Sequence, residues 1–265
     1  FQVARLMLKW GILDLLRDSD EGLTREDIVA ATGQTDYAVK VLLESSLTMG
    51  LLLVDPEKER YVLSKVGWFL LTDHLTRVNL DFNHDVNYQG LFHLEEALKE
   101  GRPAGLRHFG PWETIYEGLS QLPEGVQKSW FAFDHFYSDN AFDEALKVVF
   151  RQKVKRLLDV GGNTGRWATR CVAHAADVEV TIVDLPQQLE LMRKAVAGRE
   201  GAERIHGYGC NVLEEGAEFP QEPLFDAIWM SQFLDCFSHA QIVAILNRIR
   251  LAMKPDARVC ILELF

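Results

Sequence analysis

Residues 156–165 read Arg156-Leu157-Leu158-Asp159-Val160-Gly161-Gly162-Asn163-Thr164-Gly165. A short apolar run enters a cluster of glycines, and an amphipathic stretch, residues 166–175, follows. That order predicts a strand, a tight loop and a helix. Glycines in such a loop let the backbone turn sharply and let a ligand come close. The next apolar run, residues 178–183, ends at Asp184, where an acid binds ribose hydroxyls in dinucleotide folds. A glycine loop alone says little. The loop in its strand context, with an acid ending the next strand, says more.

The alternation continues outward. Residues 187–197 have helical spacing, 225–230 form an apolar strand, a helix runs through Ile242, Leu246 and Ile249, and 258–262 make a further strand. Strand–helix alternation predicts an α/β fold with a parallel sheet covered on both faces. Upstream, residues 1–17 place Val3, Leu6, Met7, Trp10, Leu13 and Leu16 at helical spacing. Thr24-Arg25-Glu26-Asp27 is a cap signal ahead of Ile28, Gly33 ends that helix, and Asp36 is a capping candidate for a third. Residues 51–54 and 61–63 are β-like runs joined by the turn Asp55-Pro56-Glu57-Lys58. Three helices and a hairpin make a winged-helix pattern. A DNA reader needs a basic face. Here the recognition helix carries Asp36, Lys40 and Glu44, and the wing carries Asp55, Glu57 and Glu59 against Lys58 and Arg60. A packing or dimer surface fits better.

Composition narrows the classes. With 265 residues, 48% of them hydrophobic, the chain can build a real core. A net charge of −11 argues against nucleic acid and anionic membranes as partners. No apolar run approaches the ~20 residues of a membrane span. Phe1 opens the chain as if mid-helix, without a basic leader or cleavage site, so the natural start is expected upstream. Cys171, Cys210, Cys236 and Cys260 are scattered, which predicts reduced thiols and a cytoplasmic location. His74, His84, His93 and His108 have no ligand spacing, so no metal is expected.

Residues 68–150 read as helical and rich in aromatics. On a helix, Trp130, Phe133, Asp134 and Tyr137 share one face, and Phe131, Asp134, His135 and Ser138 share the next. This is either a core helix or the wall of a small-molecule pocket.

The phase of the glycines is G-G-x-x-G, with an acid before the first. That combination resembles the cofactor motif of class I S-adenosylmethionine-dependent methyltransferases. An acid beside the loop suits the amine-bearing, cationic end of that cofactor better than a pyrophosphate. The chain further resembles, over nearly its whole length, the small-molecule O-methyltransferases typified by plant caffeate and acetylserotonin enzymes and bacterial polyketide-tailoring relatives. The residues that carry this are Leu157 to Gly165, Val183-Asp184-Leu185-Pro186 and Phe225 to Met230.

The resemblance implies a Rossmann-like class I methyltransferase sheet (151–265) preceded by an α-helical winged-helix-like dimerisation domain (1–75), with a helical linker and acceptor-pocket wall between them (76–150). The family's sheet ends in an antiparallel hairpin and a helix, so its last strands are expected beyond Phe265. Cofactor contacts would come from Asp159, Gly161, Gly162, Gly165, Asp184 and Leu185. Cys210, Asn211 and Val212 stand where the family has Gly-Asp and an apolar residue beside the adenine, and Asn211 replaces the acid with an amide. Ser231 and Gln232 stand where the family often has Lys-Trp. Trp130, Phe131, Phe133, Asp134 and Tyr137 would meet the acceptor.

The family's catalytic His falls at Asp235 in this register, while the Glu that orients it falls on Glu263. Three readings follow: Asp235 replaces the His, the base has moved to His135 or His239, or the acceptor needs no strong base. For Asp235 the plain alternative is a solvated loop carboxylate, with Ser238 as the better cap for the following helix. The implied function is methyl transfer from S-adenosylmethionine to a small aromatic acceptor, at oxygen first and at carbon second, by a homodimer. The missing His motivates a second reading, a non-catalytic cofactor-binding regulatory or scaffold protein; a winged-helix transcription factor is a third.

Overall fold

A computed structural model describes residues 1–263. The chain divides into two compact units, Phe1–Asp85 and Val86–Phe265. In the first, helices α1 (Gln2–Lys9) and α2 (Ile12–Arg17) replace the single helix expected over residues 1–17. The break falls at Gly11, whose φ of 69° is left-handed, a conformation that ends a right-handed helix and suits glycine. Helix α3 (Arg25–Thr32) opens on a reciprocal cap. Thr24 Oγ1 accepts from the Asp27 amide at 3.1 Å, and Asp27 Oδ2 accepts from the Thr24 amide at 3.0 Å. Helix α4 (Asp36–Thr48) is capped by Thr35 rather than Asp36, through the Ala38 amide at 3.2 Å. Strands β1 (Leu52–Asp55) and β2 (Arg60–Leu63) pair antiparallel, with Asp55 Oδ1 accepting the Glu57 and Lys58 amides in the turn. Helices α5 (Lys65–Thr72) and α6 (His74–Phe82) follow. Met7, Ile12, Leu13, Ile28, Val39 and Leu43 form the dry centre of this winged-helix-like unit.

The second unit starts with helices α7 (Leu94–Glu100), α8 (Ile115–Gly118), α9 (Glu124–Asp139) and α10 (Phe142–Val149). Then β3 (Arg156–Val160), α11 (Arg166–His174), β4 (Glu179–Asp184), α12 (Pro186–Val196), β5 (Ile205–Gly209), β6 (Phe225–Ser231), α13 (His239–Ile249) and β7 (Met253–Leu262) alternate. The five strands lie in the order β5-β4-β3-β6-β7, all parallel. Pleat alternation divides their side chains between two cores. Leu157 and Trp229 pack with α10, α11 and α12. Leu158, Val160, Ile228 and Met230 pack on the opposite face with α13 and Phe233, Leu234 and Phe237. Burial on both faces is why these strands read as continuous apolar runs. Strand β5 was not expected from the sequence. Of its five residues only Ile205 is buried, and two are glycines, so neither alternation nor an apolar run marks it.

The loop after β3 sits at the carboxyl edge of the sheet. The Gly161 amide donates to the Val183 carbonyl at 2.8 Å, and the Gly165 amide donates to the Gly162 carbonyl at 2.9 Å. Gly161 has φ of 74°, and a Cβ there would run into the ring of Phe233. Gly161→Ala is therefore expected to cost about 1–2 kcal/mol for the left-handed backbone alone, and more for displacing Phe233. Urea denaturation measures this, and an unchanged midpoint would contradict it.

Candidate active site

The site grows from the carboxyl ends of β3 and β4. Pleating puts Asp159 on the same face as Leu157, in register with Ile182 of β4 and Trp229 of β6. Its side chain is 2% exposed, and Oδ2 has no hydrogen-bond partner among the described residues. A Cβ on Gly162 would lie 2.6 Å from that oxygen, so the glycine makes room for the carboxylate. Burial, with the charge of Asp184 added, pushes the Asp159 carboxyl up to about 8. Asp184 is also buried, and burial raises it to about 6 against two backbone hydrogen bonds that favour its charged form. These come from the Leu185 amide to Oδ1 at 2.8 Å and from the Asn163 amide to Oδ2 at 3.0 Å.

Beneath the loop, Trp167 and Trp229 stack with ring centroids 4.2 Å apart. Both indole N–H groups, Thr164 Oγ1 and Ser231 Oγ lack partners among the described residues. These residues line, with Asp159, one cavity of about 40 Å³. Buried polar atoms are almost always satisfied in a working protein, so this cluster marks a place for a polar guest. A second cavity of about 50 Å³ adjoins the loop, lined by Trp130, Tyr116, Asp184, Gln188, Phe233 and Cys236. Asp134 lines both.

Two loops hold Asp134. Asn163 has φ of 49°, and its Nδ2 donates to Asp134 Oδ2 at 3.4 Å while its Oδ1 accepts from Gln188 Nε2 at 3.4 Å. Gln232 has φ of 46°, and its Nε2 donates to the Asp134 carbonyl at 2.9 Å. The Gln232 amide donates to the Leu262 carbonyl at 2.9 Å. Glu263 fixes the same turn, its Oε1 accepting from the Phe233 amide at 3.1 Å and the Leu234 amide at 2.9 Å.

The candidate bases are placed differently from one another. Asp235 is exposed, on a single helical turn, and among the described residues accepts only from its neighbour Cys236 Sγ at 3.6 Å. No hydrogen bond joins Asp235 to Glu263 among the described residues. Burial raises the Glu263 carboxyl, its two amide bonds oppose this, and the Asp235 charge adds to it. His135 stacks on Phe131 at 6.0 Å, and burial, then the Arg166 charge, push it down to about 4, so its ring is neutral at pH 7. It borders an outer cleft with Arg166 and Asp139 as well as the Asp159 cavity. His239 is exposed at the start of α13, where Ser238 Oγ accepts the Gln241 amide at 3.4 Å.

Of the aromatic helix, Trp130 and Asp134 reach the second cavity, whereas Phe133 packs on Tyr137 at 4.7 Å. Leu185 and Val212 are buried, and the Cys210 amide donates to the Asp184 carbonyl at 2.9 Å. Asn211 uses its side-chain oxygen to accept the Leu213 amide at 3.0 Å. Leu185, Cys210 and Asn211 border a cleft of about 550 Å³ with Pro186 and Tyr208. The sequence reading gave no role to Tyr116, whose hydroxyl donates to the Cys210 carbonyl at 3.4 Å and whose ring meets Phe233 edge-on. It stands in a segment without periodicity, so nothing local marks it. Gln188 and the side chain of Asn163 were also missed. Asn163 could have been flagged as the residue of the glycine loop with a side chain suited to a left-handed turn.

S-adenosylmethionine fits this chemistry. An orphaned, buried carboxylate at Asp159 suits an ammonium group, Asp184 has lone pairs left for hydroxyls, and the cleft at Leu185 and Tyr208 suits a flat ring.

Known proteins agree. The model of the Dimerisation2-like domain matches residues 1–61, and that of the O-methyltransferase domain matches residues 77–265. L-tyrosine C(3)-methyltransferase of Streptomyces lavendulae is 25% identical over 98% of this chain and 70% of its own length. Human acetylserotonin O-methyltransferase is 23% identical over 99% of this chain and 76% of its own. A likeness of fold extends to an O-methyltransferase from neocarzinostatin biosynthesis, solved with S-adenosylmethionine and 2-hydroxy-5-methyl naphthoic acid. There the TM-score is 0.74 at 20% identity, over 98% of this chain and 78% of that one. With the catalytic-domain model covering most of its length, this chain belongs to the O-methyltransferase domain family and is an S-adenosylmethionine-dependent methyltransferase.

Proposed function

We propose that the protein methylates a small aromatic acceptor, at a hydroxyl oxygen or at a ring carbon activated by one. The observation that carries this is the unpartnered, buried carboxylate of Asp159 beside the glycine loop. Asp159 would hold the amine of S-adenosylmethionine, Asp184 its ribose hydroxyls, and Leu185, Cys210, Asn211 and Val212 would flank its adenine. The cofactor supplies an electrophilic methyl group on a sulfonium. Gly161, Gly162 and Gly165 keep the loop free of side chains, and Ser231 and Gln232 close its far side. Trp130, Tyr116 and Phe233 offer aromatic faces to an acceptor, with Asp134 among them. Both curated relatives act, by their names, on aromatic compounds, one at carbon and one at oxygen. Family membership favours catalysis over the scaffold reading.

The dimer and the compartment are part of the same proposal. In the first unit Val66, Trp68 and Phe69 of α5 are exposed, and an apolar cluster of this kind suits a second copy of the chain. All four cysteines are free thiols, which suits the cytoplasm. No helix among the described residues is long and apolar enough to cross a membrane.

Three outcomes test these readings. First, Asp159 and Asp184 titrate higher in the fold, at about 8 and about 6, than the ~4 of an unfolded chain. The unliganded fold therefore loses stability as pH rises from about 4 to about 8. A cationic ligand draws both carboxyls down, so binding should release protons and tighten as pH rises from about 6 to about 8. Calorimetry with S-adenosylmethionine in two buffers of different ionisation enthalpy reads this directly; identical heats would sink it. Second, Asp159→Asn should weaken that binding about 10- to 100-fold, the loss of one charged hydrogen bond, while stabilising the unliganded protein at pH 8. A variant with unchanged affinity removes Asp159 from the site. Third, Phe69→Glu should convert a dimer to a monomer in sedimentation. A wild-type monomer, or a variant that stays dimeric, refutes the α5 surface.

A further inference from the structure

We infer that Asp134 takes the acceptor's proton, in place of the imidazole that Asp235 replaces in this chain. The inference rests on the methyl-transfer reading above. Asp134 is the carboxylate common to the two cavities beside the glycine loop, with Asp159, Gly162 and Trp167 lining one and Trp130, Tyr116 and Cys236 lining the other. It therefore lies between the place suited to the methyl donor and the aromatic walls suited to the acceptor. Its position is fixed from two directions, by Asn163 Nδ2 on Oδ2 at 3.4 Å and by Gln232 Nε2 on its carbonyl at 2.9 Å. A reacting group needs this kind of support. The competing groups are placed less well. Asp235 is exposed, and Glu263 has one oxygen engaged by two amides of the turn.

The surroundings also tune Asp134. Burial pushes its carboxyl up to about 7, the Asn163 hydrogen bond opposes this, and Asp235, Asp139 and Glu263 add to the rise. The other ionisable groups around it are His135 of its own helix, Asp159 and Arg166 across the glycine loop, and Asp184, Tyr116 and Cys236 on the aromatic side. Among the described residues lining these cavities, carboxylates outnumber the cation Arg166, which is engaged by Asp139. A base whose proton affinity lies near the working pH is the effective kind. In the step, the acceptor's O–H proton passes to a carboxylate oxygen of Asp134 and the bonding pair stays on the acceptor oxygen. That oxygen, or the ring carbon conjugated to it, forms the new bond to the methyl carbon, and the pair of the broken S–CH₃ bond stays on sulfur as a neutral thioether. Where carbon is methylated, the ring proton then leaves to water.

The test uses the full chain, with Asp134→Asn, Asp134→Glu and Asp235→Asn, catechol as the probe acceptor and S-adenosylmethionine as donor, over about pH 5 to 9. Wild-type kcat should fall about tenfold per pH unit along an acid limb that lies below about 7, because the bound donor's charge draws Asp134 down from its unliganded position. Asp134→Asn should lose about 10²–10⁴-fold in kcat together with this limb, while its Kd for S-adenosylmethionine stays within about threefold. Asp134→Glu should restore the limb in part, and Asp235→Asn should keep it. An Asp134→Asn protein that works within tenfold of wild type, or that keeps the limb, overturns the assignment. A second measurement needs no acceptor. In protein labelled with ¹³C at the aspartate carboxyls, one resonance should titrate near 7 in wild type and be absent from Asp134→Asn; the same set of titrations in both proteins overturns the assignment. Failure of wild type to bind S-adenosylmethionine counts against the methyl-transfer reading instead, and is distinguished because the carboxyl titration is read without it.

Discussion

A carboxylate buried without a partner is expensive, and Asp159 is buried with its Oδ2 unpartnered among the described residues. It is held there by the strand itself. Leu157, Leu158 and Val160 are fully buried on the two faces of β3, so the pleat leaves Asp159 nowhere to go but inward. Gly162 gives it space. Asp184, at the end of the adjacent strand, is buried beside it and raises its proton affinity further. Two carboxylates so placed make the carboxyl edge of the sheet a receptor for positive charge. The backbone supports this. An anion-binding loop presents free amides to its ligand, but here the Asn163 and Leu185 amides are engaged by Asp184. A pyrophosphate would meet carboxylates where it needs donors. This is the physical reason for reading a sulfonium and ammonium donor, and not a nicotinamide dinucleotide, at this glycine loop.

The same edge is held in register by two residues in an unfavourable backbone state. Asn163 and Gln232 both have positive φ, which costs a side-chain-bearing residue about 1–2 kcal/mol. Such conformations persist where the surroundings over-determine them. The Gln232 amide is tied to β7, the next two amides are tied to Glu263, and both left-handed residues send a side-chain amide to Asp134 on α9. The glycine loop thereby holds the carboxylate of Asp134 and the turn after β6 holds its backbone carbonyl.

The sequence made the sheet legible wherever burial was two-sided. The expected strand over residues 156–160 coincides with β3, because a strand buried on both faces must be apolar throughout. Strand β5 escaped because an edge strand with two glycines carries no such constraint. The helix over residues 1–17 was read as one because its apolar spacing is continuous across Gly11; periodicity reports the face of a helix and not its interruption. At the site, Asp159 and Asp184 were legible from position relative to the strands. Glu263 was placed by register, but its engagement with the turn amides was not readable, since register gives a location and no partners. Asp134 was read as pocket wall because its neighbours are aromatic. What distinguishes it comes from Asn163 and Gln232, 29 and 98 residues away, a separation that no local pattern spans.

Proton affinity in a carboxylate is raised by burial and by other carboxylates, and lowered by nearby positive charge. Around this site the first two act on Asp134, Asp159 and Asp184 together. A cation drawn in beside Asp159 therefore favours the charged form of all three. For a base this order of events is useful. Without the donor, burial holds the Asp134 carboxyl at about 7, which limits the net charge the buried cavity must carry. With the donor in place, its field removes that proton just when a methyl group is available to be attacked. A nearby cation lowers the proton affinity of an imidazole as well, but a ready imidazole is neutral, whereas a ready carboxylate is an anion that the cation attracts. With Asp134 as the inferred base, the donor's own charge prepares the group that takes the acceptor's proton.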